Sequence, residues 1–190
     1  MAQIDLNNRL LEGLRIPVFG PTRHLIRRGD QSEQTQFFPD RCWSITAMPS
    51  FHNWGMFVVF ESRSLVRCAF VCKGDVPDEP DVDYAVVDCL FRIADWSDPV
   101  LDILTRGPLA PTPDRSQPEG TTLATLDGIA YFLQVETSDV SATFWFSNPR
   151  GSHYRSLERA ACDLAKRVSR VIEHPQVSSF VTTWTNYVRE

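Results

Sequence analysis

The sequence predicts an α+β fold: an antiparallel sheet of about six strands, in two groups of three, with helices packed on it. Three observations lead there. Short runs rich in β-branched and aromatic residues are separated by turn residues rather than by helical segments. These runs come in series and are then followed by helices, which argues against alternating βαβ units. One long segment carries Leu157, Ala161, Leu164, Val168, Val171 and Ile172 as a single apolar stripe at 3.6-residue spacing, with charges opposite.

In chain order, Ile4, Leu6, Leu10, Leu11 and Leu14 predict a short helix capped by Asp5 and ended by Gly13 and Pro17. Residues 18–40, with Gly20-Pro21, Gly29-Asp30 and a polar run, read as a surface loop whose cluster Arg23, His24, Arg27 and Arg28 is a solvated face. Arg41–Met48, Trp54–Glu61 and Leu65–Lys73 predict three strands, the last two a hairpin across Ser62–Ser64. An acidic, proline-bearing loop follows. From Tyr84 the polar residues Asp88, Arg92, Asp95 and Asp102 recur at helical spacing and predict a helix, with a second piece from Pro99 to Arg106 capped by Ser97 or Asp98.

Residues 107–119, with Pro108, Pro111, Pro113 and Pro118, read as a linker between two packed halves (1–106 and 120–190) of a single domain. Thr121–Leu126 and Ile129–Glu136 are expected to form a hairpin about Asp127-Gly128, returning through Ser138-Asp139 into Ala142–Ser147. Asn148-Pro149 then opens the long helix and His174-Pro175 closes it. Val177, Phe180, Val181, Trp184 and Val188 predict a terminal amphipathic helix.

Composition narrows the function classes. A net charge of −5 disfavours a protein whose task is to neutralise nucleic-acid phosphates. No apolar run approaches the roughly 20 residues of a membrane span. The N-terminus lacks the basic start and apolar core of a secretory signal, so a cytoplasmic protein without a membrane partner is expected. Five cysteines without CxxC spacing predict reduced thiols rather than a disulfide framework.

No residue pattern signals catalysis, a cofactor or a metal. A Gly-rich phosphate loop is missing, and His24, His52, His153 and His174 lack zinc-ligand spacing. Cys42 with His52, and Ser152 with His153, are nominal nucleophile pairs without a motif; Cys68 and Cys72 share a strand face and suit packing. Two loops stand out as partner-binding candidates. Phe51, His52, Asn53 and Trp54 place large rings at a strand connection, where interface anchors occur. Asp75, Asp78, Glu79, Asp81 and Asp83 lack the EF-hand pattern, and would steer a partner with a basic surface.

The segment with Leu126-Asp127-Gly128, Tyr131, Phe144-Trp145-Phe146, Ser147-Asn148-Pro149 and Leu157 to Leu164 resembles the ending of small bacterial immunity proteins of polymorphic or contact-dependent toxin systems. The element order is also similar to that of type III secretion chaperones. The resemblance implies a non-enzymatic, protein-binding chain, monomeric or homodimeric, that inhibits a cognate toxin or effector. The alternatives are a chaperone or adaptor holding an extended client, and a hydrolase or transferase with Cys or Ser chemistry.

Overall fold

Side chains alternate across a strand, so a segment whose alternate residues are apolar can bury one face of a sheet. In the computed structural model, which describes residues 40–73, 84–106, 128–137, 141–149 and 152–189, six such segments pair. They are β1 (Arg41–Pro49), β2 (Gly55–Glu61), β3 (Leu65–Lys73), β4 (Tyr84–Arg92), β5 (Ile129–Thr137) and β6 (Ser141–Ser147). All pairings are antiparallel, in one sheet of order β4-β3-β2-β1-β5-β6. One register row, Val87–Phe70–Phe57–Ile45–Leu133–Phe144, crosses all six strands. Its first five members are fully buried, against α1 (Pro99–Arg106), α2 (Ser152–Ile172) and α3 (Pro175–Arg189).

The sheet corrects one sequence expectation. Tyr84–Arg92 is a strand, not a helix. A spacing of four satisfies both a helix and a strand, so Asp88 and Arg92 could not separate them; Asp95 belongs to the 3-10 turn Ile93–Asp95 beyond the strand end. Val87, Cys89 and Phe91 supply the inward face. The described strands therefore divide four and two about the long connection.

Of the hairpin expected about Asp127-Gly128, Thr121–Leu126 and Asp127 lie outside the described residues, and β5 is flanked by β1 and β6. Gly128 closes against the end of β6. Its φ of 154° suits glycine, and an added Cβ would lie 2.4 Å from the Asn148 side chain, whose Oδ1 accepts the Ile129 N–H at 2.8 Å. The N-terminal helix, the loop to residue 39, the acidic loop, the 107–119 linker and the Ser138-Asp139 turn also lie outside the described residues.

Asp98 caps α1: its Oδ1 accepts the Val100 and Leu101 N–H groups, each at 3.0 Å, and its Oδ2 accepts the Trp43 Nε1–H at 2.7 Å. The cap thus ties the helix to β1. In α2 the stripe is buried except Val171, which is 58% exposed. At about 100° per residue the buried arc runs from Leu164 through Leu157, Ala161 and Ala165 to Cys162, and Val171 falls beyond its edge. The arc is displaced because α3 packs on one flank of α2, which also buries Glu158, Cys162 and Ser169. Gly55 lets α3 approach the sheet, since a Cβ there would meet the Phe180 ring at 2.6 Å.

On the second sheet face Met56, Val58, Ala69 and Val71 are buried as well. Towards β6 that face opens.

Candidate functional site

The connection of β1 to β2 is fixed from several sides. Ser50 N–H donates to the Gly128 carbonyl at 2.8 Å, and Tyr187 Oη–H donates to the Ser50 carbonyl at 2.7 Å. His52 N–H donates to the Pro49 carbonyl at 3.4 Å, and its ring meets Tyr187 edge-on, centroids 6.0 Å apart. Lys73 N–H holds the Trp54 carbonyl at 3.2 Å. Between these ties Phe51 adopts φ 63° and exposes 81% of its surface.

Both properties of Phe51 are unfavourable to folding alone. A left-handed conformation costs a residue with a Cβ about 1–2 kcal/mol, and an exposed ring returns none of it through burial. What the arrangement achieves is a large apolar ring held outward on a hydrogen-bonded turn. His52 and Asn53 are exposed beside it, while Trp54 is half-buried at the start of β2. The four loop residues named from sequence are thus together. The five acidic residues, Asp75, Asp78, Glu79, Asp81 and Asp83, lie outside the described residues.

A second large ring is exposed on the sheet. Trp145 is 66% exposed on the outward face of β6, beside its cross-strand partner Phe132 with centroids 5.9 Å apart. The signal was available: three consecutive aromatics on a strand must point alternately to opposite faces, and only Phe144 and Phe146 turn towards the helices.

The polar clusters inside the protein hold the scaffold. Tyr131 Oη–H donates to Glu158 Oε1 at 2.6 Å and accepts from Trp184 Nε1–H at 3.0 Å, all three groups buried. Burial holds the Glu158 carboxyl above the usual carboxylate range, against the lowering effect of the Tyr131 bond and of Arg155 and Arg159, and it pushes the Tyr131 phenol up too. Burial likewise holds Asp98 above the usual carboxylate range, against its bonds to Leu101, Trp43 and Val100. Arg41 donates to Glu61 at the same end of the sheet.

None of the five cysteines forms a disulfide. Burial pushes the Cys72 and Cys89 thiols up to about 12 and raises those of Cys68 and Cys162, so these four are protonated at neutral pH and poor nucleophiles. Cys42 pairs with Phe60 at the start of β1, and His52 lies past its far end, more than roughly 20 Å away at 3.3 Å per residue. Among the described residues no group of three or more His, Cys, Asp or Glu side chains is placed to hold a metal ion, and no helix is long and apolar enough to cross a membrane.

Fold and surface together define an α+β protein with a six-stranded antiparallel sheet and an aromatic loop at one end. Comparison with known proteins finds no matching family model, no matching curated protein and no matching solved structure.

Proposed function

We propose that the chain is a non-enzymatic protein-binding module of immunity type, which occludes a cognate toxin or effector through the Ser50–Trp54 loop, with Phe51 as the anchor. The supporting observation is the combination at Phe51 of a left-handed backbone, 81% exposure and surrounding ties. Interface anchors are aromatic side chains already close to their bound conformation, because ordering a ring on binding otherwise subtracts from affinity. The Tyr187 and Gly128 hydrogen bonds hold the backbone of Ser50, from which Phe51 projects.

The direct test is to measure binding of the purified chain to the product of the reading frame adjacent to its own. Truncating a buried anchor costs about 2 kcal/mol or more, so Phe51→Ala should weaken the complex at least about 30-fold while the thermal melt is unchanged or improved. An undiminished affinity would remove the loop from the interface, and no binding of the wild-type chain would remove the immunity reading.

A further inference from the structure

The two edges of the sheet differ in kind. β4 carries Asp88 and Arg92, charges of the sort that discourage edge pairing, whereas β6, Ser-Ala-Thr-Phe-Trp-Phe-Ser, contains no charge and no proline. Among the described residues no strand pairs with the outer edge of β6. Which of its backbone groups face outward follows from the ladder. Asn148 N–H donates to the Ile129 carbonyl at 2.9 Å, and this pair continues the register in which Ala130 opposes Ser147. Hydrogen-bonded pairs alternate along an antiparallel ladder, so Phe146, Phe144 and Ala142 bond to β5. The N–H and C=O groups of Ser141, Thr143, Trp145 and Ser147 therefore point away from the sheet.

We infer that β6 pairs antiparallel with β6 of a second copy of this chain about a two-fold axis at Phe144. Centring there matches Ser141 with Ser147 and Thr143 with Trp145 of the other copy, so every outward group has a partner, for roughly eight backbone hydrogen bonds. A centre at Thr143 or Trp145 leaves a terminal residue without one. The side chains fit the same axis. On the outward face a small Thr143 opposes a large Trp145, and on the helix face Ala142 opposes Phe146, while Phe144 meets its own copy. Every pair is uncharged. The isologous contact extends two six-stranded sheets into one of twelve strands by the arithmetic of the symmetry.

The area indicates the strength. The strand edge with the exposed Trp145 ring buries on the order of 1,000 Å² over both copies, at the lower limit for a specific interface. The dimer is therefore expected to dissociate on dilution, in the micromolar range.

Sedimentation equilibrium of the full chain from about 1 to about 200 μM spans that range. The expected result is a mass that rises from one copy to two. Thr143→Pro removes an N–H that points away from β5, so it spares the internal ladder and should raise the dissociation constant at least tenfold. Thr143→Ala should change it less than threefold. Trp145→Lys, which introduces a like-charge repulsion beside the axis, should act as Thr143→Pro does. Hydrogen exchange on the wild-type chain provides a reading without substitution: the Thr143 and Trp145 amides should slow as concentration rises, while those of β4 should not. A chain that stays monomeric throughout overturns the proposal, whether or not a foreign strand can occupy the edge. So does a dimer whose Thr143 and Trp145 amides exchange at a concentration-independent rate, or one indifferent to both Thr143→Pro and Trp145→Lys.

Discussion

Removing one oxygen atom tests the core. Tyr131 sits on β5 beneath α2 and α3, and its hydroxyl joins Glu158 to Trp184. In Tyr131→Phe the Trp184 N–H loses its acceptor inside the core, a loss of about 1–3 kcal/mol. Glu158, also buried, loses a charge-assisted donor, for a further 1.5–3 kcal/mol or so. Relief from desolvating the phenol offsets part of this, leaving a net loss of about 3 kcal/mol. For a chain of this length that lowers Tm by roughly 6–12 °C. Urea unfolding followed by tryptophan fluorescence measures it as a lower midpoint at constant m-value. The ring packing on Phe146, centroids 5.0 Å apart, is preserved in the variant, so any loss belongs to the hydroxyl. A loss below about 1 kcal/mol would refute the reasoning, because it would mean that water or a side-chain shift replaces both bonds.

Glu158 also gives a pH dependence of defined sign. Its folded-state carboxyl is raised by burial, so over the window just above the ordinary carboxylate value the native state keeps a proton that the unfolded chain has lost. Stability therefore falls as pH rises through that window and is flat above it; Glu158→Gln should flatten this slope, as read from urea midpoints between about pH 4 and pH 7. Asp98→Ala removes the α1 cap and the acceptor of Trp43 together and should cost about 2–3 kcal/mol, whereas Asp98→Asn, which retains a capping oxygen, should cost less than half of that. Gly55→Ala pushes a Cβ into the Phe180 ring and should cost about 1–3 kcal/mol by thermal melt. Phe51→Asn, which tolerates the left-handed backbone, should raise stability by about 0.5–1 kcal/mol while abolishing partner binding, measured by melt and by titration with the adjacent-frame product.

Sequence legibility followed what is local. Three strands of the first half, α1 with its Asp98 cap, the long α2 and the terminal α3 are written in alternation, caps and 3.6-residue stripes, all properties of neighbouring residues. β4 was not, because Asp88 and Arg92 are spaced by a number common to both periods, and only pairing with β3 decides between them. The exposure of Val171 and Trp145 was hidden for a related reason. Each lies in a correctly predicted element, but whether it is covered depends on which flank α3 packs against and which sheet face the helices choose. The aromatic loop was legible as composition; its left-handed Phe51 was not, since nothing in Ser-Phe-His-Asn announces a positive φ. Phe51 takes it as the third residue of the Pro49–His52 turn, whose Ser50 is tied to Gly128 and Tyr187, residues far along the chain.

The two ends of the sheet show why the irregular end carries the functional reading. At the β1 start, Trp43 bonds to Asp98 and Arg41 to Glu61, so removing Asp98 or Arg41 leaves a buried group without that partner and the two pairs explain themselves as structure. At the β1 end the relation is reversed. Ser50, Gly128 and Tyr187 spend their hydrogen bonds on a backbone that presents Phe51 to solvent in a conformation that costs about 1–2 kcal/mol. Truncating the ring there removes no intramolecular burial of consequence, so packing supplies no reason for the strain. Under the proposed binding role, a backbone held in advance of contact supplies one, because part of the ordering cost that a flexible anchor meets on binding has already been met in the folded chain.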